Sequence, residues 1–242
     1  MADTPAEPTQ FRGFEPDALQ FLADLAANND RSWFKPRKTE YERLVKEPLE
    51  ALCVALADRF EKLRLPLEAD PVRSPFRIYR DVRFSKDKSP YKTAQGADFP
   101  WQDSRGDELR PRGAVGGYFH LEPGNIFVGG GMWHPERARL AAFREKLDRD
   151  PSAVFRAIED ERFRSVFGSV TGESLTRNPK GFPSDHPYGN LLRLKDVVFS
   201  RPLSDRDVFS PELPDVIAHD LDAARPVLLF LDKLAGTPEH IN

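Results

Sequence analysis

Between Pro71 and Gln95 the chain gathers seven basic residues (Arg73, Arg77, Arg80, Arg83, Lys86, Lys88 and Lys92) against two acids, Asp81 and Asp87. The local charge is +5 in a chain of net charge −3, so the remainder carries −8. Cationic groups at this density suit phosphate or carboxylate recognition, where each charge-assisted hydrogen bond is worth about 1.5–3 kcal/mol. Read as a strand, the segment sends Phe76, Ile78, Val82 and Phe84 to the core face with Arg80 among them. Arg77, Tyr79, Asp81 and Arg83 then line the opposite face. A guanidinium buried without a partner costs several kcal/mol, so Arg80 requires a carboxylate, carbonyls or a bound anion. Arg77 and Arg83 would lie about 20 Å apart along a strand, beyond the span of one small anion. An extended phosphorylated ligand, or a separate partner for each arginine, would satisfy both. The loop Ser85–Lys92 adds three lysines and Tyr91, a surface suited to phosphate or nucleic acid. The competing reading is structural, with Asp81 and Asp87 belonging to an ion-pair network together with acids from the −8 remainder of the chain.

Other constellations are weaker. Gly129-Gly130-Gly131-Met132-Trp133-His134-Pro135 joins a strand to a helix, where backbone amides can hold an anion, or where a sharp bend lets Trp133 pack. It lacks the Lys-Ser/Thr of a phosphate-binding loop and the glycine spacing of a dinucleotide site. The irregular stretch Asn178–Tyr188 carries Lys180, Asp185 and His186, which would reach the basic cleft together with Arg193. His186 or Asp185 is then a general acid or base, with Tyr91 or Lys88 stabilising charge; the alternative is a rigid polar loop. The five histidines form no i,i+4 pair and the chain has one cysteine, so no metal site is expected. His120 falls on the outward face of a strand and reads as solvated, and Cys53 falls on an apolar helical stripe.

These residues must be positioned by elements of two periods. Pro16 opens a helix through Leu19, Leu22 and Leu25 that stops at Asn28-Asn29. A second helical pattern runs from Tyr41 to Leu63 and divides into two segments at Pro48. Trp33-Phe34 anchors the packing between these first helices. After the proline-rich break at 66–75 the period becomes two, giving the strand 76–84 and a hairpin of Val115–Leu121 with Ile126–Val128 about the turn Glu122-Pro123-Gly124-Asn125. The polar segment 96–112 reads as a long loop. Pro135 and Pro151 open further helices, the latter capped by Asp150. Leu191–Phe199 reads as a strand, and Ser210-Pro211 begins a last helix, kinked at Pro226 and stopped by Gly236. Without regular βαβ alternation this order predicts an α+β fold, a mostly antiparallel sheet flanked by helices. One compact domain is expected over 11–242 behind a disordered tail at 1–10.

Phe11-Arg12-Gly13-Phe14, Asn28–Phe34 and above all Arg77-Ile78-Tyr79-Arg80-Asp81-Val82-Arg83-Phe84-Ser85-Lys86-Asp87-Lys88-Ser89-Pro90-Tyr91-Lys92 resemble the domain-of-unknown-function family DUF2461. Gly130–Trp133, Pro179–Phe182 and Asp185–Pro187 continue the resemblance, which spans about Phe11 to Leu234. It implies one domain and brings no activity, cofactor or catalytic residue with it.

Composition narrows the rest. The longest apolar run near the end, Val227–Leu231, is far short of the ~20 residues of a membrane helix. A single cysteine excludes a disulfide framework, and no apolar leader opens the chain, so a cytoplasmic protein without membrane association is expected. No cofactor is predicted and no oligomeric state can be read. The expected partner is an anionic small molecule or nucleotide, with nucleic acid a further option. The alternatives are an enzyme acting on such a ligand, and an interaction module for an acidic protein surface.

Overall fold

The structure, a computed structural model, describes residues 10–81, 83, 86–102 and 115–234. The expected tail (save Gln10), Val82, Phe84, Ser85, most of the 96–112 loop and Gly236 lie outside the described residues. The fold is α+β, with a four-stranded antiparallel sheet in the order β1-β2-β3-β4. Its strands are β1 Gln95–Pro100, β2 Val115–Leu121, β3 Phe127–Met132 and β4 Val197–Pro202. β2 and β3 form the expected hairpin, its turn closed by Asn125 N–H donating to the Glu122 carbonyl at 3.0 Å, with Gly124 at φ 76°. β1 occupies part of the predicted loop; its Ala97 and Phe99 are fully buried although Gly96, Asp98 and Pro100 dilute the strand pattern.

The glycines of β3 serve close packing. A Cβ on Gly130 would sit 2.5 Å from the Gly116 carbonyl oxygen, and one on Gly131 only 2.2 Å from that of Val197. They are therefore strand residues and not an anion nest. Nor do they tuck Trp133 away, which is 67% exposed. Its neighbour His134 has φ 47° and donates its backbone N–H to the buried Asp196 carboxylate at 2.6 Å.

The chain divides into two compact units: Met1–Phe99, Tyr118–Val128 and Pro202–His219 form one, and Pro100–Gly117, Gly129–Arg201 and Asp220–Asn242 the other. In the first, α1 Pro16–Ala27 begins at proline and ends at Asn28, as the sequence dictates. α2 Arg31–Phe34 is capped by Asp30, whose carboxylate accepts from Ser32 and Trp33 N–H at 2.7 and 2.9 Å. A 3-10 turn then leads into α3 Lys38–Tyr41, a π-helical turn at Glu42–Lys46 and α4 Glu47–Lys62. The expected division at Pro48 is present: a new α-helical segment, α4, opens with Pro48 in its first turn, where a missing N–H costs no bond, while the backbone stays helical through the π turn before it. Trp33-Phe34 does anchor packing, with Phe21 against both rings at 5.6 and 6.4 Å and Phe34 against Tyr41 at 5.5 Å. Cys53 is fully buried on α4, and burial pushes its thiol up to about 12.

The second unit holds α5 Arg137–Arg149, α6 Pro151–Ile158 with its Asp150 cap, α7 Glu161–Phe167 and α8 Gly189–Leu192. α8 takes the start of the predicted strand 191–199, leaving β4 to begin at Val197. Phe163, Phe167 and Phe199 pack within 5.6 Å of one another. Burying rings of this size contributes about 1.5–3 kcal/mol each. The last helix is broken at Ala224, two residues before the Pro226 expected to kink it, into α10 Leu213–Ala223 and α11 Arg225–Lys233; the short α9 Asp205–Val208 precedes them with a Ser204–Asp207 capping box. Among the described residues no helix is long and apolar enough to cross a membrane, and no group of His, Cys, Asp and Glu is placed to hold a metal ion.

Candidate functional site

The basic segment does not form the expected continuous strand. Its chain bonds to the edge of β1 through Phe76 N–H to the Gly96 carbonyl (2.8 Å) and the Ser74 carbonyl from Asp98 N–H (3.1 Å). It then leaves β1 and pairs with its own return arm, Arg80 N–H to Pro90 at 2.9 Å and Lys92 N–H to Ile78 at 2.8 Å. Among the described residues, bridges at Pro75–Ala97 and Tyr79–Tyr91 are all the ladder that results. Pro75 cannot donate, which limits pairing on the β1 side. Ile78 is buried and Tyr79 is 53% exposed, as predicted, whereas Phe76, expected on the core face, is 38% exposed.

The return arm is fixed from a distance. The Asn29 side chain donates to the Tyr91 carbonyl at 3.0 Å and accepts the Tyr91 N–H at 3.1 Å, doing the work of an adjacent peptide group. Tyr91 stacks on Phe34 at 4.2 Å and meets Tyr79 at 5.6 Å. It is 3% exposed, and burial raises its hydroxyl pKa, so its visible role is packing.

Between these arms the loop neutralises part of its own charge. Arg80 is exposed, contrary to the strand reading, because the chain has left the sheet edge; it pairs with Asp87. Arg83 pairs with Asp81 through Nη2–Oδ2 at 2.7 Å and Nε–Oδ1 at 3.0 Å. The Asp81 carboxyl is held well below the usual range, chiefly by Arg83. That of Asp87 lies at about 2, drawn down first by the Ser89 hydroxyl and amide and then by Arg80. Lys86 and Lys88 are exposed on the same loop.

Arg77 and Lys92 are arranged differently. Among the described residues neither has an ion-pair partner. Lys92 is half-buried with its ammonium 4.9 Å from the Phe76 ring centroid, and its pKa is lowered by burial and then by Arg77. Arg77 lines a groove of about 320 Å³ with Phe34, Tyr41, Phe76, Tyr79 and Gln95, closed on the helical side by Lys38, Glu42, Lys46 and Glu50. The two lysines on that wall are spoken for by i,i+4 pairs, Lys38–Glu42 at 3.4 Å and Lys46–Glu50 at 3.3 Å. Deep in the groove the Tyr41 hydroxyl hydrogen-bonds the buried Gln95 Oε1 at 3.2 Å, and burial pushes that hydroxyl above its ordinary range. The π turn lines this groove, a placement common for such turns. Neither this wall nor the Asn29 clamp was read from the sequence as part of a site. The proline six residues after Glu42, inside an apolar helical pattern, was the available signal for the first.

Lys180, Asp185, His186 and Arg193 belong to the second compact unit, whereas 77–92 belong to the first. His186 accepts the Tyr188 N–H at Nδ1 (3.1 Å), so its proton sits on Nε2 and is donated to Asp148 on α5 at 3.1 Å. Its side chain is 9% exposed and both ring nitrogens are engaged. Lys180 and Asp185 are exposed. Arg193 donates to the side-chain oxygens of Asn178, at 3.1 Å, and Asn190. His120 does face away from the core, but it is held between the Tyr118 hydroxyl (2.9 Å) and Glu122 (3.2 Å) and stacked on Phe127 instead of solvated.

Fold and groove together define an α+β protein with an aromatic, partly cationic surface groove. The chain matches the family described as conserved hypothetical protein (DUF2461) over residues 17–230, and it belongs to that family. No curated protein and no solved structure matches it.

Proposed function

We propose that this protein binds a small anionic ligand carrying a planar group, of nucleotide type, in the groove of Arg77. The observation that carries the reading is that Arg77 and the half-buried Lys92 stand together without an ion-pair partner among the described residues, beside the exposed rings of Phe76 and Tyr79. Two neighbouring cations in a partly desolvated place repel each other, and an anion relieves both. The guanidinium supplies a fork for a phosphate or carboxylate, and the rings supply a stacking surface. The paired arginines 80 and 83 support the loop, which reduces the basic cleft first expected over 77–92 to its two ends. The setting is cytoplasmic, where such ligands are plentiful and a lone thiol stays reduced.

A thermal-shift and calorimetric screen against nucleoside phosphates and phosphorylated metabolites tests this, since a ligand at 100 times its Kd stabilises by about 2.7 kcal/mol. Arg77→Ala is expected to weaken the best ligand about tenfold or more, and Tyr79→Ala to weaken nucleotides more than inorganic phosphate. Folded variants that bind every anion tested as the wild type does would remove the proposal.

A further inference from the structure

The second unit holds another cation that is oriented without being neutralised. Arg193 follows α8, and its backbone N–H closes that turn on the Gly189 carbonyl at 3.1 Å. Its guanidinium is fixed by two side-chain amide oxygens, Asn178 Oδ1 at 3.1 Å and Asn190 Oδ1. Space for this arrangement is made by Gly189, where a Cβ would lie 3.1 Å from Asn178 Oδ1 and 3.2 Å from the arginine Nη1. Amide oxygens accept hydrogen bonds but carry no formal charge, so the fork is held rigid while its positive charge stays uncompensated. Among the described residues Arg193 has no ion-pair partner, and Glu173, near it in the fold, is committed to Lys195 at 3.2 Å.

The guanidinium lines an open pocket of about 370 Å³ with Thr171, Gly172, Ser174 and Asn190. The segment carrying the two hydroxyls is pinned to its neighbours by Thr171 N–H to the Val198 carbonyl (2.6 Å) and Leu175 N–H to the Arg193 carbonyl (2.8 Å). Gly172 has no room for a side chain, since a Cβ would meet the Asp196 carbonyl oxygen at 2.2 Å. Thr171 Oγ1 leans on the Val198 carbonyl at 3.4 Å, and the exposed Ser174 hydroxyl has no hydrogen bond among the described residues. A rigid guanidinium with donors to spare, on a residue that shares the lining of a solvent-open hollow with a free hydroxyl, is a receptor for a tetrahedral oxyanion.

We infer that Arg193, with Ser174, forms a second anion site that accepts the phosphoryl group of a phosphate monoester, independent of the Arg77 groove. Arg193 binds two oxygens with its fork, Ser174 donates to a third, and Asn178 and Asn190 hold the fork in place.

The test is a titration of the full-length Arg77→Ala protein with inorganic phosphate, followed by calorimetry and by the Arg193 Nε–H signal in NMR. Saturable binding with one equivalent and a shift of that signal are expected. Arg193→Lys, which keeps the charge and loses the fork, should weaken binding about tenfold, and Ser174→Ala should weaken it by a smaller factor. Asn190→Asp leaves the arginine in place and supplies a carboxylate; it should abolish phosphate binding while raising or preserving thermal stability. A linear, non-saturating response, or unchanged phosphate affinity in folded Arg193→Lys or Asn190→Asp protein, overturns the inference. Loss of ligand binding at the Arg77 groove alone leaves this titration unaffected, so the two sites fail separately.

Discussion

At the scale of single residues, protonation distinguishes charges paired within the loop from those with no ion-pair partner among the described residues. Asp87, at about 2, contributes stability that is fully present above its ordinary value of 3.8 and is lost as pH falls through about 2. The Ser89 amide, which donates to Asp87 at 2.9 Å, should report that transition in an NMR titration with a midpoint near 2; a midpoint near 3.8 would dissolve the clasp. Lys92 gives the same sign of pH dependence from the opposite cause, since burial disfavours its charged form. Its folded pKa is lowered from 10.5, so above the lowered value the unfolded chain holds more protons and stability rises with pH toward 10.5. Anion binding in the Arg77 groove should raise the Lys92 pKa again, which lysine side-chain NMR with and without ligand can measure. Asp81 and Arg83 were read onto one face and do pair, although the strand that put them there does not form; Arg80–Asp87 was not legible, since it depends on a loop that folds back over seven residues.

At the scale of elements, the long periodic segments and their punctuation were readable and the sheet edge was not. Pro16, Asn28 and Asp150 mark helix ends because each acts through its own backbone or immediate neighbours. β1 was missed because Gly96 and Pro100 are poor strand formers, and burial of Ala97 and Phe99 overrides that preference. The predicted strand at 76–84 failed for the converse reason, a good alternating pattern with a partner for only part of its length. In β3 the glycines are a steric requirement. Gly131→Ala places a Cβ 2.2 Å from a backbone oxygen at φ 114° and should cost several kcal/mol in chemical denaturation. Gly124→Ala, where a Cβ meets nothing within 4 Å, should cost only about 1–2 kcal/mol from its left-handed backbone. Equal losses at the two positions would discard the steric account.

At the scale of the whole molecule, charge is segregated: +5 resides in 71–95 and −8 in the rest. Such a distribution attracts a small anion locally and resists a long polyanion that must also pass over acidic surface. Binding of a nucleotide-sized ligand should weaken as salt rises, while single-stranded nucleic acid in a gel-shift assay should show no tight retention at physiological ionic strength. Tight, sequence-independent retention would redirect attention to an extended surface. The α+β class was legible from the order of periodicities alone, since it depends on composition averaged over many residues. The split into two compact units was not, because it depends on which distant segments meet.

The Asn29 clamp has a kinetic consequence. Tyr91 is registered by a residue 62 positions earlier, so the arm that ends at Lys92 cannot lock until the chain has closed that long span and the α1–α2 corner exists. The groove therefore matures only after that span has closed during refolding, and ligand competence should lag behind the recovery of helical signal.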